Sequence, residues 1–251
     1  MNVNVLHFAP ILSRFAAFFI ASPFFSRLGI PIWLRAVLAI SLTIFLAPLI
    51  KVETPSSSNV WVYLLLEATL GYLLGLIFSL LWEAASLAGQ LVGTVAGFSI
   101  TELLAPTSAT HPLWGKTFVL LLSVLFFSLD LHHAMIKILH ESFLLLPHAS
   151  DIFNQETLFY VLKATSRLFY YAFYYSAFPL FILLFLIAIL ALTARILPEL
   201  PIFWMGFPIQ LFLGLTTVMI AVTFFPDLLQ KNFLELTVFI QKIMVELGLS
   251  L

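Results

Sequence analysis

The chain has 251 residues, of which 62% are hydrophobic and only 9% charged. A soluble globular domain carries about 25% charged residues, so an ordinary water-facing surface is excluded, and eleven Lys and Arg against twelve Asp and Glu leave no basic face for nucleic acid. With no cysteine in the chain, there is no disulfide framework, thiolate metal site or cysteine nucleophile.

The opening Met1-Asn2-Val3-Asn4 lacks the positive start of a cleaved signal and the glycine of a myristoylation site, so the first apolar run is read as part of the working protein. A membrane-spanning helix needs roughly 20 mostly apolar residues. Residues 3–25 qualify, with Arg14 inside and Pro23 near the end, and so do residues 28–50, with Arg35 inside and Pro48 near the end. Lys51, Glu53, Pro55 and three serines then make a polar loop. Residues 60–82 (with Glu67) and the charge-free 84–101 are the next two runs, separated by Glu83. A turn-rich stretch from Ala105 to Pro112 follows, and residues 117–146 are apolar but interrupted by Asp130, His132, His133, Lys137, His140 and Glu141.

Residues 147–167 read as a polar connection. Residues 168–194 run uncharged to a joint at Pro198-Glu199-Leu200-Pro201. Residues 202–226, with Pro208, are the last long run. In the tail, 227–251, Leu229, Phe233, Leu236, Ile240, Ile243 and Leu247 recur at three and four, which describes an amphipathic helix for an interface or a partner groove. Backbone groups in lipid must pair within their own segment, so the expected fold is all-α, a polytopic membrane protein of about seven or eight helices. The chain is read as a single domain over 1–251. Its parts are an N-terminal hairpin (1–50), central helices (60–146), the connection (147–167), a late hairpin (168–226) and the amphipathic helix (227–251).

Three constellations stand out. Ala85, Gly89, Gly93 and Gly97 recur every fourth residue, as do Gly71 and Gly75. Small residues so spaced share one helix face and admit a neighbouring backbone. This reads as a tight protein–protein or helix–helix seam that serves assembly, a reading that overlaps with ordinary packing within this chain. Arg14, Arg35, Glu67, Glu83 and Asp130 lie in apolar runs, where each charge costs about 2.5–3.5 kcal/mol at a bilayer centre. They pair, snorkel, or face other subunits or water. Asp130, His133 and His140 share a helical face, but no matching ligand set stands elsewhere, so no metal or other cofactor is assigned. The aromatic cluster from Phe169 to Tyr175 suits a membrane interface.

Several landmarks in order resemble the FliR/SctT family of type III export-gate proteins. They begin with Arg14, Pro23, Ile30-Pro31, Arg35 and Leu46-Ala47-Pro48, followed by Glu67 with Gly71 and Gly75. Ala88-Gly89-Gln90-Leu91-Val92-Gly93, Gly97-Phe98-Ser99 and Pro106 come next, then Asp130-x-His132-His133, Ser142-Phe143 and Pro147. Arg195-x-x-Pro198 and Gly206-Phe207-Pro208-Ile209 close the series, so the likeness covers about residues 10 to 226. Leu131, Glu199 and Gln210 depart from the family's usual glycine, glutamine and basic residue.

The resemblance implies a non-enzymatic subunit of the export gate in the bacterial inner membrane, at a flagellar or injectisome basal body, with the flagellar branch favoured. It implies hairpins in a helical hetero-oligomer with two smaller export-gate membrane proteins and a substrate-switch membrane protein, through which unfolded secreted proteins pass. It also implies that the loop at about 100–112, with Glu102, Leu103, Leu104, Ala105 and Pro106, plugs the closed pore, and that Pro198, Pro201, Gly206 and Pro208 form a hinge. The alternative is a stand-alone secondary transporter of a small solute, suggested by broken helices and charges in apolar runs. An intramembrane enzyme built on Asp130 and the histidines lacks a second matching motif.

Overall fold

A computed structural model describes residues 5–22, 29–50, 60–98, 113–146, 155–197 and 202–249. Eight helices make up nearly all of these, and no strand occurs among the described residues. In chain order they are α1 Val5–Ala21, α2 Ile32–Leu46, α3 Val60–Val95, α4 Leu113–Ser128, α5 Leu131–Leu145, α6 Gln155–Ile196, α7 Ile202–Val222 and α8 Phe225–Leu249. The plug-like stretch 100–112, including Glu102, Leu103, Leu104, Ala105 and Pro106, lies outside the described residues, as do Pro198 and Pro201.

The protein is an all-helical polytopic membrane protein. Val60–Val95 and Phe159–Ile196 are each long and apolar enough to cross a membrane, and two bent helix pairs raise the number of candidate spans to four. Helices α1 and α2, at 17 and 15 residues, are shorter than the roughly 20 residues of a full span.

The helix boundaries differ from the hydropathy runs in three places, each for a local reason. Runs 60–82 and 84–101 join into one 36-residue helix, because glutamate is a good helix former and Glu83 breaks hydropathy without breaking backbone. The run 117–146 is divided at Leu129–Asp130, where Asp130 takes φ 55° and ψ 23°. A left-handed residue cannot continue an α-helix. The polar connection is itself helical from Gln155 onward, so Lys163 and Arg167 ride on the 42-residue α6.

The chain divides into two compact units, each discontinuous in sequence. One comprises Met1–Trp82, Asp130–Arg167 and Asn232–Leu251, the other Glu83–Leu129 and Leu168–Lys231. In the first unit α1 packs on α2, and the His7 ring donates from Nε2 to the Ile50 carbonyl at 3.0 Å. Ser13 donates to the Leu64 carbonyl at 2.7 Å, joining α1 to α3. Its core is aromatic: Phe15 meets Phe143, Phe18 meets Phe78 and Phe78 meets Phe233, with ring centroids 5.7–6.0 Å apart. The apolar stripe of α8 belongs to this packing. Phe233, Leu236, Ile240 and Ile243 are buried within the chain.

In the second unit Phe225 packs against Phe118 and Tyr175, at 5.4 and 5.8 Å between centroids. The expected aromatic belt on α6 is divided by helical period: Tyr171 and Tyr175 point inward and are buried, while Phe169, Tyr170 and Phe173 are exposed. Beyond them Phe181 and Ile196 are each 75% exposed. A face of this composition requires lipid or another apolar protein surface.

Candidate functional site: glycine faces and a buried ion pair

On α3, Glu67, Gly71 and Gly75 stand four residues apart and share one face. A Cβ at Gly71 would overlap the Arg14 carbonyl oxygen, and one at Gly75 would stand 2.7 Å from Ala21 Cβ and 2.8 Å from the Phe18 carbonyl. The missing side chains therefore let the α1 backbone rest directly on α3. That approach sets Arg14 against Glu67, one turn before Gly71.

Arg14 is wholly buried and Glu67 almost so. Arg14 Nε donates to Glu67 Oε2 at 2.6 Å, Nη1 to Ser142 Oγ at 3.0 Å and Nη2 to the Leu146 carbonyl at 3.2 Å. Its Cζ lies 3.9 Å from the centroid of the Phe143 ring. The Ser142 hydroxyl in turn donates to the Leu139 carbonyl at 2.7 Å. The Leu146 carbonyl is one of those left without a partner at the end of α5, so the guanidinium closes that helix as well as neutralising Glu67. An ion pair deep in protein offsets its desolvation better when further hydrogen bonds satisfy the charged groups, and Arg14 finds them at Ser142 and the Leu146 carbonyl. Three helices, α1, α3 and α5, are thereby tied at one point.

A second glycine face lies in the other unit. Cβ atoms at Gly89 and Gly93 would strike Trp114 on α4, and one at Gly115 would stand 3.1 Å from the Ser86 carbonyl. Glycines on both helices face each other's backbones, so α3 and α4 approach closely. Gly97 takes φ +86°, and a Cβ there would lie 3.2 Å from the Phe207 ring. Gly206 faces Leu190 in the same way. Within the described residues these stripes are met by neighbouring helices of the same chain. Periodicity defines a face and is blind to which chain meets it.

Three of the five charges in the apolar runs are not fully buried. Asp130 is 75% exposed at its side chain, because the left-handed break turns it outward. Arg35 is half-buried and donates from Nε and Nη2 to the Ile30 carbonyl at 3.1 and 2.9 Å, bracing the turn before α2. Glu83 is half-buried on α3. Pro208 lies inside α7, which runs helical from Ile202 to Val222. The histidine face expected from Asp130, His133 and His140 is replaced by a tighter group, Asp130, His132 and His133.

Sequence reasoning missed Ser142 and Leu146 as partners of Arg14. They lie 128 and 132 residues away, and no local pattern connects them. It also missed Trp114 and Gly115 opposite the stripe, and Gly214, where a Cβ would meet Ala96 Cβ at 2.8 Å. The pairing of Gly115 and Gly214 with small or polar residues elsewhere carries no periodic signal of its own.

Close helix seams, a buried ion pair and large uncovered apolar faces define the class: a multi-helix membrane protein held together by backbone contact. The chain belongs to the bacterial export proteins, family 1, whose profile matches residues 5–236. It is similar to the flagellar biosynthetic protein FliR of Bacillus subtilis, 31% identical over 216 residues that cover 81% of each chain. The FliR protein of Pectobacterium carotovorum is 28% identical over 241 residues, 94% of this chain and 92% of that one. That of Aquifex aeolicus is 29% identical over 229 residues, covering 88% and 86%.

Proposed function

We propose that this chain is a non-enzymatic, pore-forming subunit of a flagellar type III protein export gate, seated in the bacterial inner membrane. The observation that carries the reading is the family match across residues 5–236, with relatives named for flagellar biosynthesis along nearly the whole chain. Two smaller export-gate membrane proteins and a substrate-switch membrane protein are its proposed partners. Unfolded secreted proteins are the proposed cargo. The apolar residues of α6 left uncovered by the described residues support this role, since such a face needs an apolar neighbour.

Within this reading the stretch from Glu102 to Pro106 closes the pore: Leu103 and Leu104 exclude water from a constriction, and the small residues around them permit it to move. Pro198, Pro201, Gly206 and Pro208 are the proposed hinge residues of the late helices. Gly89, Gly93 and Gly97 hold the helices that carry the loop.

The test is affinity purification from native membranes followed by mass spectrometry of the intact complex. The expected result is one copy of this chain with several copies of smaller, different membrane proteins. A solitary chain or a symmetric homo-oligomer would overturn the proposal and favour a transporter. Deleting residues 103–110 should leave that complex assembled while raising the ion conductance of the membrane. Unchanged conductance in an assembled complex would remove the plug from the proposal.

A further inference from the structure

Asp130 is the one non-glycine residue with positive φ among the described residues. The left-handed conformation costs such a residue about 1–2 kcal/mol. Aspartate before a helix ordinarily accepts hydrogen bonds from the amides of the first turn, yet Asp130 makes no such side-chain bond to α5. Its carboxylate instead faces the next turn, with Oδ1 3.7 Å from His133 Nδ1. The rings of His132 and His133 lie together, centroids 4.0 Å apart and planes at 36°. One ligand atom from each of the three residues lies within 4.8 Å of the other two.

We propose that Asp130, His132 and His133 bind a divalent transition-metal ion of the zinc, nickel or copper class, through one carboxylate oxygen and two imidazole nitrogens, with water completing the shell. Imidazole nitrogen suits these metals, while calcium and magnesium demand a shell of oxygens. Metal–ligand bonds of about 2.0–2.1 Å place tetrahedral ligand atoms about 3.4 Å apart. The 3.7 Å between Asp130 and His133 is a few tenths from that value, and their side chains, 75% and 72% exposed, can close it by rotation without repacking a core. The bound ion would link the residue that precedes α5 to that helix's first turn, holding the strained backbone in place.

Tag-free full-length protein in nanodiscs, stripped with chelator, is titrated with zinc by calorimetry and with copper by electron paramagnetic resonance. The expected result is one ion per chain with two nitrogen ligands in the copper spectrum. Asp130→Asn and His133→Gln should each weaken binding at least about tenfold, since even loss of an outer-shell partner costs that much. His140→Gln should bind as the parent does. The copper spectrum of the unaltered protein decides the matter if a variant fails to fold. Fewer than two nitrogens, no binding at one equivalent, or unchanged affinity in both Asp130→Asn and His133→Gln overturns the proposal.

Discussion

Arg14 Nε meets Glu67 Oε2 at 2.6 Å with both side chains buried, and the contact exists because Gly71 lets the backbone carrying Arg14 lie on α3. The ion pair and the glycine face are one device. The glycine brings the helices within reach, and the charges reject any register in which either one is left alone. Removing only one charge should therefore hurt more than removing both. Glu67→Ala strands a buried guanidinium and should cost about 3–5 kcal/mol, while Arg14→Met with Glu67→Leu should recover most of that loss. Unfolding of the purified protein in detergent measures both. A double variant no more stable than Glu67→Ala would show that the pair adds stability beyond mutual neutralisation.

Gly71→Ala should destabilise by about 1–3 kcal/mol, because the new Cβ meets a backbone carbonyl that cannot rotate away. Gly89→Ala faces the Trp114 carbonyl and should behave alike. Gly115→Ala, whose nearest neighbour stands at 3.1 Å, should cost less than either. Thermal melts of the three variants give the ranking, and equal losses at all three would contradict the geometry.

Phe233 is fully buried on α8 while Leu234 and Val238 are 53% and 62% exposed. Phe233→Ala should cost about 3–5 kcal/mol through the cavity it leaves against Phe78. Leu234→Ala and Val238→Ala should change the stability of the isolated chain by about 0.5 kcal/mol or less. Denaturation midpoints in detergent separate these cases. Tolerance of Phe233→Ala would mean that the α8 stripe does not pack within its own chain.

The Tyr160 hydroxyl donates to the Glu246 carboxylate, fastening the end of α8 to α6. Tyr160→Phe removes that bond and keeps the ring, so the global loss should be modest, about 1 kcal/mol. The larger effect should be local. Hydrogen exchange in the last turns of α8 should accelerate while α3 stays protected, and exchange unchanged along α8 would show that the bond fastens nothing.

Much of the helix content is legible in order because continuous apolar runs leave the backbone no other way to satisfy itself away from water. Glu67, Gly71 and Gly75 could be assigned to one face by spacing. The division at Asp130 could not, since aspartate is not committed to the left-handed region by its chemistry. Nor could the passage of α3 through Glu83, because hydropathy registers the charge and the backbone does not.

By itself the sequence determined a helical membrane protein, the glycine faces and the charges that need partners, all of which follow from composition and a 3.6-residue period. Only the tertiary structure decided that Gly71 receives Arg14, that Gly89 receives Trp114, and that Ser142 and the Leu146 carbonyl complete the shell of Arg14. Those pairings join residues far apart in the chain. They arise from which helices can approach closely enough, and a one-dimensional pattern holds no record of that distance.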